Sequence, residues 1–230
     1  VFVATLEQAG VSAQSTAQAI NILSKTLNIT GEQAKIQASS LLTLATSLQI
    51  THQQIMSEFT QASSVLAAHG GNIINVFSEL AAQSRATSLS VGELLGIAAQ
   101  FDTFDSSAQS VGRLNSILGG PYLNSIEMVY ASESERNRAM LMALELSGQS
   151  FESMSRLEKR AFAAAAGITD MAVAQKMFGG GLSAFDDAAA KSKLQAAEQE
   201  KLNKIAKDAT ALFQNLQNAM TQLAVSLGPV

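Results

Sequence analysis

Proline occurs at two of 230 positions, Pro121 and Pro229. Proline is the strongest helix breaker, because it lacks an N–H and its ring clashes with the preceding turn. Its absence from the first 120 residues leaves glycine and the polar caps to decide where helices stop. Ser or Thr followed three residues later by Glu or Gln satisfies two orphan N–H groups at a helix start. The pattern recurs at Thr5/Gln8, Thr30/Gln33, Thr51/Gln54, Ser90/Glu93, Ser132/Glu135 and Ser155/Glu158. Glycines stand where the apolar rhythm ends, at Gly10, Gly70, Gly71, Gly119, Gly120, Gly148, Gly167 and Gly179 to Gly181, positions suited to left-handed helix termini. These signals predict helices over 12–27, 31–48, 52–68, 71–86, 91–100, 106–118, 133–147, 155–166 and 170–178, with a long helix over 183–227. No period-2 alternation bounded by turns is present, so the expected fold class is all-α.

A weak internal echo runs along the chain. "LNITGEQA" from Leu27 and "LQITHQQI" from Leu48 share a plan with "SLSVGELL" from Ser88 and "AAGITDMA" from Ala165. Each sets an aliphatic residue beside a Ser, Thr or Asp that can cap the next helix. The plan reads as ordinary helix-start grammar or as a short repeat; a solenoid would show a longer and sharper period. The last segment differs. Leu202, Ile205, Ala209, Leu212, Leu216, Ala219 and Leu223 fall in alternating steps of three and four, a heptad spacing. Phe213, Met220 and Leu227 widen the stripe, and Gly228 with Pro229 end it. Two packings fit it: a bundle of three or more chains through Leu202, Ile205, Leu212, Leu216 and Leu223, or a long helix lying on its own domain. Three regions follow: an Ala/Gln/Ser-rich helical region over 1–100, a compact helical region over 101–181, and a long helix with coiled-coil character over 182–230.

Charge is sparse, with 15% Asp, Glu, Lys and Arg and a net of −4, which argues against a general nucleic-acid surface. Residues 8–24, 36–57 and 209–230 carry no Asp, Glu, Lys or Arg at all. They are too rich in Gln, Asn, Ser and Thr to read as membrane spans. Uncharged helical surface of this kind is expected to bury against other chains. With no cysteine there is no disulfide framework, thiol nucleophile or thiolate metal site.

Candidate chemistry is thin. His52 and His69 are the only histidines, and neither has a carboxylate at ligand spacing, so no metal or other cofactor is expected. Asp102 and Asp105 in "FDTFD" could share a helix face as a carboxylate pair for glycoside hydrolysis. The plainer expectation is that Asp105 caps a helix from Ser106 while Phe101 and Phe104 enter the core. Gly179 to Gly181 lacks the strand and Gly-Lys-Ser of a phosphate loop and reads as a joint. Glu133, Glu135, Arg136 and Arg138 read as a solvated helix start whose acids suit the dipole. In "LNSILGGPYLNSIEM", Gly119 and Gly120 can close a helix, Pro121 blocks its continuation, and Tyr122 with Leu123 can turn into the core or a neighbour. This is a structural corner, not a catalytic site.

The segments "FDTFDSSAQSVGRLNSILGGPYLNSIEM" and "SERNRAMLMALELSGQSFESMSRLEKRAFAAAAGITDMAVAQKMFGG" resemble the tail tape-measure proteins of tailed bacteriophages, particularly those of marine and cyanobacterial phages. The resemblance rests on Phe101, Asp102, Phe104, Asp105, Gly112, Leu114, Asn115, Leu118 and the run Gly119 to Leu123, with Glu135, Arg136, Gly148, Phe151, Leu157, Glu158, Gly167 and Ile168. It covers about a third of the chain. It implies a structural, non-enzymatic protein of the virion, present in several copies in the tail lumen or baseplate. Three copies are expected, with six as the alternative. The implied partners are tail tube and baseplate hub proteins, with transient contact with the host membrane and no specific nucleic-acid sequence. A fully extended helix of this length would span on the order of 345 Å at ~1.5 Å per residue. The glycine stops forbid that, so the chain is expected to be a compact, baseplate-anchored end of a longer ruler. The competing expectation, carried by the uncharged 209–230 segment, is a helical membrane-active protein such as a pore former or translocator.

Overall fold

A computed structural model describes residues 10–188 and residue 190. The 183–227 helix, its interface residues Leu202, Ile205, Leu212, Leu216 and Leu223, and the Thr5/Gln8 cap lie outside the described residues, apart from the start of that helix. Among the described residues the chain is all-helical, with ten α-helices and no strand. They are α1 Ala13–Leu27, α2 Gly31–Leu48, α3 His52–Leu66, α4 Ile73–Thr87, α5 Val91–Ala98, α6 Phe104–Leu118, α7 Ser125–Tyr130, α8 Glu133–Leu146, α9 Arg156–Ala165 and α10 Met171–Phe178. The chain is helical again over 181–188.

The polar caps start the helices as the sequence expects. Thr30/Gln33, Ser90/Glu93, Ser132/Glu135 and Ser155/Glu158 form reciprocal capping boxes. At Thr51 the side chain accepts the Gln54 N–H. Three helices end where expected or one residue later, at Leu27, Leu48 and Thr87, but not on glycine. Left-handed backbone was assigned to glycine, yet Asn28, Gln49 and Ser88 adopt it, with φ of 50°, 55° and 57°. Each is followed by one aliphatic residue and then the cap of the next helix: Asn28-Ile29-Thr30, Gln49-Ile50-Thr51 and Ser88-Leu89-Ser90. The Ile29 N–H reaches back to the Ser24 carbonyl at 3.1 Å and that of Ile50 to Ala45 at 3.0 Å, which absorbs carbonyls the helix end leaves bare. The echo in the sequence is therefore a helix-to-helix corner of three residues, used three times.

The first two corners fold α1, α2 and α3 back on one another, α4 returns onto α2 and α3 after residues 67–72, and α5 and α8 pack against α4. The second half stacks α6 between α7 and α9. One hydrophobic core runs from Val11 to Phe185. Phe59 and Phe77 meet edge to face at 5.1 Å in its first half, and Phe151, Phe162 and Phe178 cluster at 5.0–6.2 Å in its second. Position 100 is bridged by polar contacts as well: Gln83 Nε2 donates to the Ser134 carbonyl at 2.8 Å, and Asn137 Nδ2 to that of Leu94 at 3.2 Å.

Two elements differ from the sequence expectation. The helix expected from residue 71 begins at Ile73, after a 3₁₀ stretch, Ala67–Asn72, kinked at Gly70 with φ 51° and ψ −122°. The six-residue α7 falls where only a loop is expected. It is too short to show a period, and packing, not propensity, holds a helix of that length.

Candidate functional site

The stretch 101–138 gathers most of the residues singled out in the sequence. Thr103, not Asp105, caps α6: its side chain accepts the Ser106 N–H, and the helix starts at Phe104. Phe101 is buried as expected, but Phe104 is 60% exposed. The cap one residue pair earlier rotates Phe104 out of the core. Asp105 instead accepts from Gln109 Nε2 at 3.0 Å. Asp102 lies before the helix and pairs with Arg136 at 2.5 Å. The two carboxylates are therefore engaged separately and do not face each other as an acid/base pair.

The corner is built by its two Leu-Asn-Ser copies. Gly119 takes φ 79°, and the N–H groups of Gly119 and Gly120 both reach the Asn115 carbonyl, at 3.0 and 3.1 Å. The Asn115 side chain then clamps the backbone of Leu123 on both sides, accepting its N–H at 2.9 Å and donating to its carbonyl at 2.8 Å. Asn124, from the second copy, caps α7 by accepting the N–H groups of Ile126 and Glu127. Leu118 and Leu123 are buried. Tyr122 stays half-exposed, its ring lying on Gly120, where a Cβ would sit 2.8 Å from Tyr122 Cε2. The corner thus takes Leu123 inward and leaves Tyr122 outside, with Pro121 between them.

Arg136 overturns the expectation of a solvated face at the start of α8. It is 6% exposed and joins three elements. Its guanidinium donates to the carbonyls of Met128 at 2.7 Å, Val129 at 2.8 Å and Ala98 at 3.2 Å, besides Asp102. A planar five-donor fork suits such a divergent set of acceptors. The cation also sits at the C-terminal carbonyls of α7, where the helix dipole is negative. Glu133 is likewise not solvated: its Oε2 meets His69 Nε2 at 2.7 Å and ties the kinked 67–72 stretch to α8. Sequence reading missed both, because their partners are remote in sequence and, for Arg136, mostly backbone carbonyls. Arg138 does face solvent, paired with Asp186 at 2.7 Å.

His52 opens α3, its Nε2 3.2 Å from Thr46 Oγ1, far in sequence from the His69 contact. Among the described residues no three His, Asp or Glu side chains are grouped to hold a metal ion. Gly179 to Gly181 line an open hollow of about 340 Å³ with Leu144, Phe151 and Phe178, as a joint between α10 and the following helical turn. No helix of the described residues is long and apolar enough to cross a membrane. Comparison with known protein families, curated proteins and solved structures finds no match. The arrangement is one of joints: polar side chains fix helix ends and the angles between helices.

Proposed function

We propose that this chain is a structural segment of a phage tail tape-measure protein, forming a compact helical body at the end anchored in the baseplate or tail tip. In this reading several copies assemble with the tail tube and baseplate hub, and the remainder of the ruler extends along the lumen and sets tail length. The observation that carries it is the role of the residues in which the resemblance resides. Asn115, Gly119, Gly148 and Gly167 end helices or clamp corners. Glu135 and Glu158 close capping boxes. Asp102 and Arg136 pin three elements together. Residues held for shape, in place of chemistry, are what a protein selected for dimensions and contacts requires. Uncharged helical surface adds support, since it suits burial within an assembly.

The test is the position of the chain in intact tailed particles assembled with the full-length protein. Cross-linking with mass spectrometry is expected to join it to tube or hub proteins at the tail tip. Cross-links confined to the neck or capsid, or absence of the chain from purified particles, would overturn the reading.

A further inference from the structure

Asp105, Ala108, Gln109, Gly112 and Arg113 form an exposed face along α6. Phe104 and Tyr130 stand at its edge, 60% and 78% exposed, and meet each other edge to face at 6.1 Å. Ile126, 58% exposed, extends this apolar border along α7. Large apolar groups left together in water mark a contact surface more often than a bare exterior. Gly112, in the middle of α6, adds to the case. A glycine inside a helix weakens it relative to alanine, and a Cβ at Gly112 would meet no atom within 4 Å. The interior of the subunit therefore gives no reason for the missing side chain, while a close neighbour outside would. Beside it, Arg113 is exposed and makes no hydrogen bond or ion pair among the described residues. Asp105, exposed on the same side of the helix, is engaged only by Gln109 of its own helix.

We infer that this face binds a second copy of the chain, α6 against α6, antiparallel about a two-fold axis passing close to Gln109. The charges select the partner and its direction. Asp105 and Arg113 lie four residues on either side of Gln109. A two-fold axis at Gln109 sets each Asp105 opposite Arg113 of the other copy, giving two ion pairs, whereas a parallel pairing would set like charges together. Ala108 and Gly112 on the seam let the two backbones approach, and the Phe104–Tyr130 pairs close over its edges. The inference does not depend on the tape-measure reading. If both hold, copies assemble as pairs, which fits six in a tail and excludes a purely three-fold arrangement of this body.

The chain has no cysteine, so a single one reports proximity without background. In the full 230-residue chain, Gln109→Cys is expected to form a disulfide-linked dimer under mild oxidation about tenfold faster than Asn75→Cys, an exposed position on α4, because pairing raises the local thiol concentration. By sedimentation equilibrium, Asp105→Arg and Arg113→Asp should each weaken the dimer about fivefold, and the double reversal should restore it to within about twofold. All four substituted positions are solvent-facing on helices, and circular dichroism checks that each variant keeps the fold. Equal oxidation rates for Gln109→Cys and Asn75→Cys, or a double reversal as weak as the single ones, would overturn the inference.

Discussion

Arg136 and Asp102 form an ion pair, yet the two ends of it do different amounts of work. Asp102 keeps more than half of its side chain in water, while Arg136 is buried. Water can replace Arg136 as a partner for Asp102; nothing can replace Arg136 for the carbonyls of Ala98, Met128 and Val129. Arg136→Met is therefore expected to cost roughly 3–5 kcal/mol, the range for removing one member of a buried charged network. Asp102→Asn should cost no more than about 1 kcal/mol, as for exposed pairs. Urea unfolding of both variants separates the two cases; similar losses would show that the carboxylate, not the carbonyl set, holds the arginine in place. None of this was legible in the sequence. The acceptors are backbone atoms 7 to 38 residues away, and backbone carbonyls leave no mark in residue identity. The capping boxes were legible for the opposite reason, since cap and acceptor are three residues apart and the geometry is local.

At the scale of the element, the corners divide into two kinds. Gly119 takes φ 79° without strain, and a β-branched residue there resists positive φ, so Gly119→Val should lose about 1–3 kcal/mol. Gln49 and Ser88 hold the same left-handed conformation with a Cβ present, which costs roughly 1–2 kcal/mol. Part of that would be recovered by glycine, offset by the greater entropy of its unfolded chain. Gln49→Gly and Ser88→Gly are therefore expected to raise stability by about 0.5–1 kcal/mol, read as a higher melting temperature. The sequence places these helix ends to within a residue, at 48 and 86, but not their left-handed residue: propensity points to glycine, whereas Gln49 and Ser88 take it, each followed by an aliphatic residue, Ile50 or Leu89, packed against the core. The caps carry an acid dependence of their own. Hydrogen bonds from the Ser90 backbone N–H and hydroxyl hold the Glu93 carboxyl below its ordinary value of 4.5. A depressed carboxyl stabilises the fold at pH above that ordinary value, and the contribution is lost as pH falls through the lower folded value. Glu93→Gln keeps an acceptor for the Ser90 N–H and cannot titrate. Its urea midpoint should fall less than the wild type's between pH 6 and about pH 3, and an equal fall would assign the acid loss to other groups.

For the whole molecule, the two sequence regions 1–100 and 101–181 are expected to melt together. The boundary at residue 100 lies where the resemblance begins, at Phe101. The core, however, is continuous across it, and Gln83, Asn137 and Arg136 tie the two sides with buried hydrogen bonds. A boundary crossed by buried apolar and polar contacts favours one cooperative transition. The chain carries its own probe. It has no tryptophan, and its two tyrosines, Tyr122 at the α6–α7 corner and Tyr130 at the end of α7, both lie in the second half, so tyrosine fluorescence follows the second half alone while far-ultraviolet circular dichroism follows all helices. Phe59→Ala removes a fully buried ring in α3, in contact with Phe77, at a cost of about 3–5 kcal/mol. If the halves are coupled, the tyrosine midpoint shifts in step with the dichroism midpoint, although the substitution lies on the far side of residue 100. If they are independent, the tyrosine transition stays at its wild-type position while the dichroism trace splits in two. We expect the coupled result, because an Arg136 bound to the Ala98 carbonyl cannot let α5 go and keep α7 and α8 as they are.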